Sequence, residues 1–155
     1  MLFRNIMVPF DGSSLSKHAF KFALDMAKKY QSKLTIVTCI GDYDSGSWYV
    51  DNRIAYLDFK RQYKAAKLEH KRLEDITKKS NVPFSSTVLQ TPKIANTLAN
   101  YAKSRKIDLI VMGSHGRTGW SKVILGSVSN GVLHTARCPI LVVKNASQNS
   151  PASQK

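Results

Sequence analysis

Acidic residues are scarce in this sequence, ten against 24 lysines and arginines, which leaves a formal net charge of +14. Such a surplus admits three kinds of anionic partner: nucleic acid, a lipid surface or an acidic protein. The basic residues are spread along the whole chain in blocks no longer than two, and aromatic residues do not interleave with them. No base-stacking platform is marked, so a specific nucleic-acid surface is not expected. Cysteine is also rare. Cys39 falls in an apolar strand pattern, Cys138 begins another, and no Cys/His cluster has metal-ligand spacing. That excludes a disulfide framework and a zinc module, and suits buried thiols in a reducing cytoplasm. No apolar run is long enough to span a bilayer. The opening Met1-Leu2-Phe3-Arg4-Asn5 leads straight into a strand and turn, not a signal peptide. The expectation is a cytoplasmic protein without a membrane partner.

What is present suits one core. The chain has 155 residues, 43% of them hydrophobic, which is enough for one domain and excludes wholesale disorder. That domain is expected over residues 1–144. Residues 145–155, rich in Ser, Gln, Asn and Pro, have the composition of a disordered tail. Phe3 to Phe10 reads as a strand. Ser13 or Ser14 then caps a helix that turns Leu15, Ala19, Phe22, Ala23, Met26 and Ala27 toward a sheet. Leu34 to Ile40 is a second strand and Gly41 to Asp51 a loop. Asn52 to about Lys79 is a long helix pattern with Ile54, Leu57, Ala65, Leu68 and Ile76 on one stripe. Val82 to Gln90 is a third strand, and Thr91-Pro92 opens a helix with proline at its first position. Asp108 to Met112 reads as a parallel strand buried on both faces. Ser127 to Ala136 is a helix with Ser127 near its N-cap, and Ile140 to Val143 is a last strand. Alternating strands and helices predict an α/β fold, a single parallel sheet with helices on both faces. Ligands of such sheets bind at the carboxyl ends of the strands.

The segment Gly113 to Ser129, GSHGRTGWSKVILGSVS, joins the fourth strand to the fourth helix. Its glycines allow close backbone approach, its N–H groups can face a ligand, and the helix dipole favours negative charge, so it is suited to phosphate. It lacks the Gly-Lys-Ser/Thr of a P-loop and the Gly-x-Gly-x-x-Gly of a dinucleotide fold. The spacing present is Gly-x2-Gly-x9-Gly-Ser, from Gly113 through Gly116 and Gly126 to Ser127.

That spacing resembles the ATP-binding signature of the universal stress protein family. The resemblance extends over residues 3–144 through three motifs in order: Ile6 to Ser13, Leu109 to Gly119, and Cys138 to Val143. It implies a five-stranded parallel sheet of order 3-2-1-4-5, Rossmann-like and similar to the adenine nucleotide alpha hydrolases. It implies an ATP-contacting role for Met112, Gly113, His115, Gly116, Arg117, Gly126, Ser127, Val128 and Ser129. It adds Pro9 and Asp11 beside the adenosine, with Cys39 at the apolar position lining adenine. Thr38 stands where many members carry histidine, and nothing is inferred from it. The resemblance also implies a homodimer through the Pro139–Val143 edge strand.

Each of these residues has a plainer reading. The glycines serve turns, Asp11 serves the cap of the first helix, Cys39 serves the core, and Arg117 is a solvated loop side chain. His115 has no carboxylate or second histidine nearby in sequence to orient it, and His18, His70 and His134 read as surface or packing residues. Asp11 could hold a hydrated Mg2+, the one route to a metal. The expected function is an ATP-binding stress-response module, with AMP and ADP open as alternatives, and not an enzyme beyond weak ATPase activity. A slow ATPase or phosphotransferase and a polyanion or nucleic-acid binder are the competing classes.

Overall fold

The computed structural model describes residues 3–41, 52–115 and 125–144. Elements alternate strictly: β1 (Asn5–Pro9), α1 (Ser14–Tyr30), β2 (Lys33–Ile40), α2 (Asn52–Lys79), β3 (Phe84–Gln90), α3 (Ile94–Ser104), β4 (Leu109–Gly113), α4 (Ser127–Thr135) and β5 (Ile140–Val143). The strands form one parallel sheet in the order β3-β2-β1-β4-β5. Side chains alternate across it. Ile6 and Val8 join α1 and Leu73 of α2 on one face, while Met7 joins Leu98 and Ala102 of α3 and Val132 of α4 on the other. Every residue of β4 is buried, as a central strand covered on both faces requires.

Several boundaries differ from the sequence expectation for local reasons. Asp108 stays outside β4 because its carboxylate accepts the N–H groups of Arg4 and Asn5, both at 2.8 Å, and so closes the entry to β1. β3 starts after Pro83, which has no N–H for the ladder. Pro92 precedes α3 rather than starting it. The helix begins at Ile94, after Thr91 Oγ1 has accepted the N–H of Lys93 at 3.1 Å. At α4 the N-cap is Gly126, not Ser127, and the helix ends at Thr135.

The helices also differ in which face they bury. α1 is capped by Ser13, whose side chain accepts from the N–H of Ser16. It buries Ser16, Ala19, Phe20, Ala23, Leu24 and Ala27, whereas Phe22 is 47% exposed and lies against His18. α2 departs further. It packs through His70, Leu73 and Thr77, and the expected stripe of Ile54, Leu57, Ala65, Leu68 and Ile76 faces outward. Glu74 pairs with Lys78 at 2.9 Å and Asp75 with Lys71 at 3.4 Å, each one turn apart.

Candidate functional site

Strand order reverses between β1 and β4, whose helical connections leave on opposite faces of the sheet. The carboxyl ends of β1, β2 and β4 and the N-terminus of α4 enclose a cleft of about 410 Å³ there. That volume lies within the usual range for small-molecule sites. The cleft collects Pro9 and Asp11 from the end of β1, Cys39 from β2, and Met112, Gly113 and His115 from β4 and its exit. Gly126, Ser127, Val128 and Ser129 line it from α4. Gly116 and Arg117 lie outside the described residues.

The start of α4 is built to face something else. The first helical bond runs from Asn130 N–H to Gly126 O at 2.8 Å, so Ser127, Val128 and Ser129 have no intrahelical acceptor for their N–H groups. Glycine at the N-cap has no side chain to cover them. Among the described residues these donors have no partner, and they carry the positive end of the helix dipole. Gly126 itself has φ −61 and ψ 156, which any residue can adopt, and its N–H donates to Ser114 O at 2.8 Å. A forbidden backbone angle is therefore not the reason for glycine at this position.

Other expected donors are committed within the protein. The buried hydroxyl of Ser129 donates to Gly113 O at 2.9 Å and ties α4 to the end of β4. Gly113 is needed for packing, because a Cβ there would sit 2.8 Å from Leu15 Cβ. Asp11 accepts the N–H of Ser13 through Oδ1 at 2.9 Å, which turns the chain into α1, and Gly12 takes φ 80 in that turn. His115 Nδ1 lies 3.1 Å from Ser114 Oγ, while its Nε2 is buried without a partner among the described residues. Among the described residues no carboxylate bonds to the ring.

The cleft lining also has apolar side chains. They are Val37, Ile40, Leu98 and Met112, with Ala66 from α2 and Ile94 from α3, and the polar Gln62 of α2 lies among them. Sequence reasoning missed these α2 and α3 contributions, because nothing local marks them. Cys39 is half-buried rather than buried, as is Cys138, and burial pushes the Cys39 thiol up to about 11. It is a neutral apolar lining group, not a nucleophile. Thr38, also on the lining, has a defined task. Its hydroxyl donates to Phe10 O at 2.7 Å, so its oxygen accepts from His70 Nε2 at 2.8 Å. His70 is thus the Nε2–H tautomer, 2% exposed, with Nδ1 lacking a partner among the described residues. Burial, with Lys67 adding to it, lowers its pKa to about 4. His70 is a neutral core group, the packing alternative of the two readings its sequence position offers.

The model of the universal stress protein family matches residues 2–144. A universal stress protein of Methanocaldococcus jannaschii is 31% identical over 149 residues, covering 92% of this chain and 83% of the relative. One from Bacillus subtilis is 30% identical over 151 residues, covering 92% of this chain and all 100% of the relative. Among solved structures, UspA from Lactobacillus plantarum superimposes with a TM-score of 0.83 at 24% identity, over 92% of this chain and 99% of that one. A universal stress protein solved in complex with cAMP gives 0.69 at 22% identity, over 92% and 98%. One from Archaeoglobus fulgidus in complex with dAMP gives 0.64 at 19% identity, over 93% and 100%. At such identities the solved structures speak for the fold alone. The family match spans nearly the whole chain and the M. jannaschii relative reaches 31%: this chain belongs to the universal stress protein family.

Proposed function

We propose that the cleft holds an adenine nucleotide, ATP foremost with AMP and ADP as weaker alternatives, and that the protein acts through the bound nucleotide rather than by consuming it. One observation carries this reading. The uncapped N–H groups of Ser127, Val128 and Ser129 stand at a cleft that is also lined by the apolar Val37, Ile40, Leu98 and Met112. Anions are stabilised at a helix N-terminus, and an adenine ring is stabilised by burying its faces on aliphatic side chains. One cleft therefore offers donors for a phosphate and apolar side chains for a base. Structural neighbours solved with cAMP and dAMP support the same ligand class.

In this reading Met112, Val37 and Cys39 flank the base, Pro9 and Asp11 stand beside the ribose, and the α4 N-terminus takes the phosphates. Gly116 and Arg117 complete the Gly-x2-Gly-x9-Gly-Ser loop of the ATP-binding subgroup. Asp11 meets ribose hydroxyls or a hydrated Mg2+ that arrives with the polyphosphate. Low turnover follows from the same parts. Backbone donors that grip ground state and transition state alike tighten binding without lowering the barrier. A signalling module of the cytoplasm gains from a nucleotide that persists. We also propose a homodimer formed through β5, which pairs with β4 on one side only and leaves Leu141 36% exposed.

Mass spectrometry of ligand released from protein purified without added nucleotide, followed by calorimetric titration with ATP, ADP, AMP and guanosine triphosphate, tests the assignment. An adenine nucleotide should be recovered, and ATP should bind in preference to the guanine nucleotide. Folded protein that binds none of the adenine nucleotides overturns the reading.

A further inference from the structure

Among the described residues, the outward face of α2 has no part in the core or in the cleft. Ile54, Leu57, Leu68 and Ile76 are 64%, 59%, 55% and 45% exposed, a costly arrangement for aliphatic side chains in water. At 100° per residue they occupy one arc about 100° wide, and from Ile54 to Ile76 the strip runs about 33 Å along the helix. Beside it, Arg53, Lys60, Lys64, Lys67, Lys71 and Lys78 share an arc only about 60° wide. All six are exposed. Lys64 and Lys67 have no carboxylate partner among the described residues. Arg61, Arg72 and Lys79 also fall on the aliphatic arc, with Asp58 and Asp75 at its edges; ion pairs draw Arg61 to Asp58, Arg72 to Glu69 and Asp75 to Lys71. The result is a strip of exposed aliphatic side chains, interrupted by paired charges and Lys79, with a cationic margin.

We propose that this face of α2 docks the protein on an anionic lipid surface, with the helix axis in the membrane plane. Anionic headgroups meet the cationic margin, and the aliphatic strip enters the headgroup–acyl boundary, the pattern of interfacial basic amphipathic helices. Other occupants use less of what is there. A second copy on the same face sets one row of cations against another. A nucleic acid engages the cations and offers the aliphatic strip nothing. The expectation of no membrane partner rested on spanning segments, and among the described residues no helix is long and apolar enough to cross a membrane. Lying on a surface is a different requirement. α2 packs beside β2 and β3, away from β5, so a dimer formed through β5 leaves this face free.

The test is cosedimentation of the full chain with vesicles of phosphatidylcholine alone or mixed with phosphatidylserine. Binding should require phosphatidylserine. Removing two cations by Lys64→Ala with Lys67→Ala should weaken it about 25-fold, at roughly fivefold per cation near the surface. Leu57→Gln with Leu68→Gln should weaken it at least as far, with an unchanged circular dichroism spectrum. The control is Lys103→Ala with Arg137→Ala, the same charge change on the opposite face of the sheet, which should bind like wild type. Equal binding to both vesicle types overturns the proposal, as does an equal loss in the control pair. So does binding that ignores the leucine changes and is competed by duplex DNA, which assigns the face to nucleic acid.

Discussion

Replacing Ser127 with proline isolates the donor that the proposed phosphate site depends on. Position 127 is the first residue of α4, where proline's fixed φ is already helical and its missing N–H breaks no intrahelical bond. The residue ahead must be extended, and Gly126 already is, with ψ 156. The first helical bond, Asn130 N–H to Gly126 O at 2.8 Å, is untouched. Stability should therefore stay within about 1 kcal/mol of wild type, or rise as proline restricts the unfolded chain. Binding should suffer. A hydrogen bond to a charged group contributes about 1.5–3 kcal/mol, so losing one N–H from a phosphate weakens ATP by about ten- to a hundredfold. Ser127→Ala keeps the N–H and removes only the hydroxyl, so its loss should be far smaller. Calorimetry with ATP and with adenosine reads the difference, because adenosine carries no phosphate and should bind both variants alike. An unchanged ATP affinity in folded Ser127→Pro refutes the reasoning. Equal weakening of adenosine refutes it too, by showing a steric effect.

Four further outcomes follow from the same geometry. His70 is held neutral, with its folded pKa near 4 against an unfolded value of 6.5; the unfolded chain binds the extra proton between those values, so stability falls as pH drops from 6.5 toward 4. His70→Gln keeps a donor toward Thr38 without titrating, and urea denaturation should show the wild type losing about 3 kcal/mol more than the variant across that window; parallel pH curves count against it. Gly113→Ala puts a Cβ 2.8 Å from Leu15 Cβ, and the forced shift of α1 should cost about 1–3 kcal/mol, seen as a lower Tm. Val142→Lys places a charge in the open edge strand β5 and should shift the protein to monomer by light scattering, whereas a wild type already monomeric at micromolar concentration dismisses the dimer. Steady-state phosphate release with Mg2+ and saturating ATP should stay far below the enzyme median of about 10 per second; a rate near it would make Asp11 and His115 catalytic candidates.

The amino-acid sequence by itself determined the element order, the parallel sheet and the two segments, Gly113 to His115 and Gly126 to Ser129, that line the cleft. Those features are written in local patterns: a five-residue apolar run such as Leu109–Gly113, helix caps such as Ser13, and glycines at a fixed spacing. Their information lies within a few residues of where it acts. Which helix face is buried was not local. Ile54, Leu57, Leu68 and Ile76 form an apolar stripe, yet the sheet takes His70, Leu73 and Thr77 instead. Periodicity reveals a stripe but not the surface that it meets. Nor could the sequence say that Ser129 donates to Gly113 O, or that Thr38 links Phe10 to a histidine 32 residues away. Such partners are chosen only when the crossovers bring distant strand ends together. The tertiary structure alone decided which donors are used up within the protein and which, at the start of α4, have no partner among the described residues, because every polar group shut away from water must find its partner in the assembled fold.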